Sequence, residues 1–260
     1  MLIDIGANLT HDDFLHDRDA LIDRAYQAGV SNIIVTGASV NGSIDAADLA
    51  LTHPKLYATA GIHPHHAEET STKALAKICE LVKRPKVRAI GETGLDFFRD
   101  FASRKAQIAS FEAHIEIAIE TRLPMFLHER EAHETFLEIL RAYRGELSKI
   151  VVHCFTGHKN LLHKYLELDC HIGFTGWICD ERRGTHLLPI MKDVPLNRIM
   201  IETDAPYLLP RNIRPKPKTR RNEPRYLPVV CQTAADAIGI SFQALAEHTS
   251  RNAQLFFDLN

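Results

Sequence analysis

The amino-acid sequence predicts a (β/α)8 TIM barrel occupying residues 1–260 as a single domain. Three observations lead there. The length of 260 residues is close to that of one α/β barrel. Short β-branched or apolar runs alternate with longer segments of helical period from end to end, the mark of repeated βα units on a parallel sheet. The first run is not followed by a Gly-x-Gly-x-x-Gly turn, which weakens the open doubly wound alternative.

The eight runs are 2–8, 32–37, 57–63, 87–92, 124–128, 150–154, 171–175 and 198–204. Between them lie helical segments such as 18–28, 103–120 and 133–144, each closing a crossover of the expected length. Eight strands each followed by a helix favour closure into a barrel. Only 207–225, rich in proline and basic residues, reads as a long loop, and it follows the eighth strand.

Composition narrows the function. Apolar residues make up 45% and charged residues 25%, with a net charge of −2, so the chain is neither disordered nor wholesale cationic. Any contact with nucleic acid must come from a local patch. Cys79, Cys154, Cys170, Cys179 and Cys231 are scattered without a Cys-x-x-Cys pair and read as reduced thiols of a cytoplasmic protein. The opening MLIDIGANLT lacks the basic and apolar regions of a signal peptide, and no apolar run approaches the ~18 residues that span a bilayer. A cytoplasmic protein without a membrane partner is expected.

Histidine stands out, with fifteen residues, many of them beside short apolar runs. His63 closes the third run, Glu92 the fourth, His128 the fifth, His153 the sixth and Asp204 the eighth. The C-terminal strand ends of a barrel ring one mouth, so residues far apart in sequence converge there and can share a metal. The reading at this point is a metal-dependent hydrolase.

The segments that carry these residues are Gly61-Ile62-His63-Pro64-His65, Gly91-Glu92-Thr93-Gly94-Leu95-Asp96, Pro124-Met125-Phe126-Leu127-His128-Glu129-Arg130, Val152-His153-Cys154-Phe155-Thr156-Gly157 and Glu202-Thr203-Asp204-Ala205-Pro206. In that order they resemble the TatD family of metal-dependent deoxyribonucleases over nearly the whole chain. The resemblance implies Glu92, His128 and His153 as metal ligands and Asp204 as a further ligand or the base that orients attacking water. It implies Mg²⁺, with Mn²⁺ able to substitute, and 3′–5′ exonuclease action on single-stranded DNA, with RNA as a further substrate. A part in repair of oxidative DNA damage follows from the same resemblance, and a monomer is expected. The chain departs from the family's usual strand-one His-x-His pair, having Gly6 and Asn8 there, which thins the ligand set for a second metal.

Phosphodiester hydrolysis needs phosphate charge offset, a water deprotonated near neutral pH and a leaving alkoxide stabilised. Asp204 is expected to take the proton of the water, with Glu92 catalytic as well as ligating. His63 and His65 are expected to contact the scissile phosphate or protonate the leaving oxygen. The segment 211–225 carries seven basic residues against one acidic, Glu223, a local net charge of +6. Such a stretch can clamp a polyanionic backbone. Arg130, Arg211, Arg220, Arg221 and Asn222 are the expected substrate contacts, and Phe97, Phe98 and Trp177 are candidates for base stacking. Two other classes fit less well: a metal-dependent amidohydrolase or phosphoesterase acting on a small molecule, and an interaction protein that has lost its metal.

Overall fold

Strands covered on both faces need near-continuous apolar runs, and the eight observed strands have them. In the computed structural model, which describes residues 1–259, they are β1 (Leu2–Ala7), β2 (Val30–Val35), β3 (Leu56–Ala60), β4 (Val87–Asp96), β5 (Met125–Arg130), β6 (Ile150–Val152), β7 (His171–Phe174) and β8 (Ile199–Ile201). They lie in one sheet in chain order. The pairings β3–β4, β4–β5, β5–β6 and β7–β8 are parallel. After β8 the chain returns to the first strand, where Asn8 N–H donates to the Ala205 carbonyl at 2.7 Å and Asp204 N–H donates to the Gly6 carbonyl at 2.8 Å. That return gives the eight-stranded parallel barrel the sequence predicts.

The helices are α1 (Arg18–Gln27), α2 (Val40–Thr52), α3 (Thr72–Leu81), α4 (Arg104–Thr121), α5 (His133–Tyr143), α6 (Lys159–Glu167), α7 (Leu227–Ile238) and α8 (Phe242–Phe257). Serine hydroxyls at positions 39, 71, 103 and 241 accept backbone N–H groups in the first turns of α2, α3, α4 and α8, a cap contributing about 1 kcal/mol each. One crossover departs from expectation. After β7 come the 3-10 turns Gly176–Cys179 and Leu188–Asp193 instead of an α-helix. Local side-chain bonds compete with the helix there: Thr175 Oγ1 accepts from Trp177 N–H, and the Asp180 carboxylate accepts from the backbone of Arg182 and from the guanidinium groups of Arg182 and Arg183.

The chain packs as two compact units. One comprises Met1–Ile34, Cys154–Leu162 and the chain from Ile172 onward; the other comprises Val35–His153 and His163–His171. In the first, Ile3, Ile5, Phe174, Met200, Leu245 and Phe256 are buried. Asn252 Nδ2 donates to the Leu196 and Ile199 carbonyls at 2.8 Å, tying α8 to β8. In the second, Phe111 stacks on Phe136 with centroids 5.2 Å apart, and buried Tyr165 meets Phe136 edge-on. All five cysteines are free thiols. Among the described residues no single helix is long and apolar enough to cross a membrane.

Candidate metal centre

Strand β4 supplies the centre of the cluster, and glycine lets it do so. Gly91 and Gly94 both have φ of +139°, and a Cβ on Gly94 would meet the His128 carbonyl oxygen at 2.0 Å. Only glycine permits this approach of β4 to β5. The resulting register sets Gly94 opposite His128 and Asp96 opposite Arg130. The strand therefore does not stop at Glu92, as the sequence suggests, but runs on to Asp96.

Three imidazoles surround one carboxylate oxygen. Glu92 Oε1 lies 2.7 Å from His153 Nε2, 3.0 Å from His128 Nδ1 and 3.3 Å from His63 Nε2. Asp96 extends the cluster, with Oδ2 2.8 Å from His65 Nε2 and 3.4 Å from His128 Nε2. The His63 and His65 rings meet edge-on, with centroids 4.3 Å apart. Donor atoms of His63, Glu92 and His128 lie within 4.8 Å of one another, a spacing one cation can bridge. Mixed imidazole and carboxylate donors fit a divalent metal, and the set by itself does not choose which.

The charges follow from burial and partners. Burial pushes the Glu92 carboxyl up, but the electrostatic pull of the surrounding imidazoles and the hydrogen bonds from His128 and His153 outweigh it and hold the group well below the usual carboxylate range. Burial also opposes ionisation of Asp96, and hydrogen bonds from His128 and His65 overcome it. His63 goes the other way, since burial pushes its imidazole down to about 4 despite Glu92. His63 Nδ1 accepts the His65 N–H at 3.1 Å, which assigns its proton to Nε2, facing Glu92. In this tautomer His63 presents a proton donor toward Glu92.

Two residues of this neighbourhood escape a sequence reading. Asp96 belongs to a quoted motif, yet its part in the cluster emerges only once β4 is seen to continue; a period of two from Glu92 is the signal that could have found it. His114, fully buried on α4, accepts the Ile62 N–H at Nε2 (3.1 Å) and is 2.7 Å from the Ser110 carbonyl at Nδ1. It anchors the backbone just before His63, and burial keeps it neutral by lowering its pKa to about 4.

In the other unit, Asp204 adopts a left-handed backbone, φ 54°, and its Oδ1 accepts the Asn8 side-chain N–H at 3.0 Å. Asn8 thus serves as a donor to a carboxylate. Asp4, fully buried on β1, accepts the Thr203 N–H at 2.9 Å and lies 2.5 Å from Thr203 Oγ1. Burial raises its carboxyl to about 8, only partly offset by the Thr203 hydrogen bonds.

The basic segment differs from expectation in detail. Asn222 is buried, with its Nδ2 donating to the Thr203 carbonyl at 2.9 Å, so it is an internal strut and not a surface contact. Arg221 donates to both oxygens of Asp17 at 2.8 Å and to Glu223 at 3.0 Å. Arg211 is held by Glu181 at 3.0 Å. These two arginines already have carboxylate partners, whereas Lys216, Lys218 and Arg220 stand exposed. Charge counting along the sequence cannot see partners so distant in the chain. Arg130, in the unit of the histidine cluster, lays its guanidinium 4.0 Å over the Phe98 ring. Phe97 and Trp177 are part-buried, covered by Arg104 at 4.4 Å and Arg183 at 4.2 Å respectively.

A parallel barrel whose strands present histidines and carboxylates around one point defines a metal-dependent hydrolase. The chain belongs to the TatD related DNase family, whose model matches residues 3–258. It is 46% identical over 259 residues to the 3′-5′ ssDNA/RNA exonuclease TatD of Erwinia tasmaniensis, covering 99% of this chain and 100% of that protein. Among solved structures it resembles YJJV, a TatD homologue from Escherichia coli K12, with a TM-score of 0.91 at 26% identity, covering 100% of this chain and 98% of that one. A TatD family hydrolase from Entamoeba histolytica matches with a TM-score of 0.89 at 27% identity, with the same coverage of 100% and 98%.

Proposed function

We propose that this chain is a metal-dependent exonuclease that shortens single-stranded DNA, and also RNA, from the 3′ end. In this reading residues 1–260 form one catalytic domain, a cytoplasmic monomer using Mg²⁺ or Mn²⁺ and serving repair of oxidatively damaged DNA. The observation that carries the reading is the convergence of three imidazole nitrogens within 3.3 Å of Glu92 Oε1, in a chain whose curated relatives bear the exonuclease name.

Glu92, His128 and His153 are the residues that would hold the ion, with Asp204 as a further ligand or the proton acceptor. A divalent ion supplies a Lewis acid that acidifies water and offsets phosphate charge. Asp204 takes the proton of the attacking water, and the Asn8 amide fixes the rotation of its carboxylate. His65, braced by Asp96, and His63, with its proton on Nε2, contact the scissile phosphate or protonate the leaving oxygen. Arg130 and Arg220 are assigned to substrate.

The test uses one single-stranded oligonucleotide labelled at either end. With Mg²⁺, the 3′ label is expected to leave first and the 5′-labelled strand to shorten stepwise; EDTA stops both and added Mg²⁺ restores them. Internal fragments at early times would make the protein an endonuclease. Intact DNA alongside turnover of an amide or lactone would make it a small-molecule hydrolase.

A further inference from the structure

We infer that the turn between β4 and α4 is a nucleobase platform, on which Phe101, helped by Phe98, stacks an unpaired base of the strand being cut. The inference rests on the nuclease reading of the adjoining site and adds to it a reason for choosing single strands.

Phe98 and Phe101 are 55% and 67% exposed, and with Tyr207 they are the aromatic residues among the large hydrophobic side chains left in solvent in the described chain. Two of these three therefore share one short turn. That turn is built by the cluster itself. Asp96 Oδ1 accepts the N–H groups of Phe98 at 3.0 Å and Arg99 at 2.8 Å, while its other oxygen holds His65. The Phe101 ring meets the His65 ring edge-on with centroids 4.8 Å apart. A base resting on Phe101 would thus have its own phosphate beside the imidazoles.

The surroundings suit a nucleotide better than an apolar partner. Arg130 covers one side of Phe98 at 4.0 Å, and Arg99 lies 5.9 Å from the same ring. Cations flanking exposed rings give a phosphate and a base their separate partners. A base inside a duplex has both faces stacked, and a terminal paired base is held to its partner and cannot swing onto the ring without breaking the pair. The platform therefore favours strands whose end is unpaired.

The test compares release of the first nucleotide from a single strand with release from the same strand carrying an abasic 3′-terminal residue. The wild type is expected to prefer the base-bearing strand by about ten-fold. Phe98→Ala with Phe101→Ala should act on the two strands within about two-fold of each other, and Phe101→Trp should restore the preference. Preference for single strand over blunt duplex should shrink in the same double variant. In EDTA, where no strand is cut, a terminal 2-aminopurine should be quenched by the wild type and not by the double variant.

Full discrimination in the double variant would overturn the inference, as would an equal slowing on both strands with the ten-fold preference intact. Loss of self-association with discrimination unchanged would assign the rings to a protein contact. If the wild type cuts neither strand, the nuclease reading fails, and quenching in EDTA still decides whether the rings take a base.

Discussion

Glu92 and Asp4 are both buried carboxyl groups on barrel strands, and their charges are opposite in tendency. Glu92, ringed by imidazoles, is held ionised. Asp4 is surrounded by Thr203, Gly6 and the neighbouring charge of Glu202, with no cation among its influences, and its pKa is raised to about 8. Burial acts on both in the same direction, so the partner decides the outcome. The cluster of β4 and β5 is organised to keep charge in the interior, which a cation needs, whereas the junction of β1 and β8 is organised to remove it.

The largest expected effect comes from breaking the charged side of this contrast. Glu92→Gln keeps the shape and loses the anion. Cleavage should fall by about 10³-fold or more, with the circular dichroism spectrum unchanged and divalent-ion uptake lost in equilibrium dialysis. Near-normal cleavage by this variant would mean that the imidazoles alone suffice and that Glu92 is not the centre.

Asp4→Asn probes the neutral side. A carboxyl raised from 3.8 to about 8 on folding stabilises the fold fully below about pH 4, and that contribution is lost as the pH rises through 8. The asparagine variant does not titrate. Relative to the wild type, its melting temperature should therefore improve from pH 5 to about pH 8 and level off above that, on top of a fixed loss of about 1–3 kcal/mol for the altered hydrogen bonds. A difference independent of pH would show that Asp4 is ionised in the folded protein.

The smallest effect concerns the same principle among cations. Replacing exposed Lys216, Lys218 and Arg220 by alanine should flatten the salt dependence of single-strand binding by roughly 2 in logarithmic slope, at about 0.7 for each phosphate left without its cation. Arg221→Ala, which breaks an existing pair with Asp17, should leave that slope nearly unchanged. Equal slopes for all variants would return the segment to an ordinary solvated surface.

Much of this was legible in the sequence. The alternation of runs placed the strands to within a few residues, because parallel strands buried on both faces cannot disguise their apolar character. His63, Glu92, His128 and His153 were legible because they terminate such runs. Asp96 was hidden by reading β4 as ending at Glu92, and His114 by sitting in a helical stripe where a buried histidine looks like any core residue. Phe101 carries no sequence mark of its exposure. The roles of Asn8, Asn222 and Arg221 depend on partners as far as 208 residues away, which local pattern does not encode.

The bond between Asp4 and Thr203 joins residues 199 positions apart, and Ser250 Oγ closes on the Met1 carbonyl at 2.9 Å. During synthesis the leading strand must wait for its last neighbour, roughly 10–40 s at ribosomal speeds of about 5–20 residues per second. Until then β1 has an unpaired edge, and the hydrogen bonds from Asn8 to Ala205 and from Asp204 to Gly6 are what finally cover it.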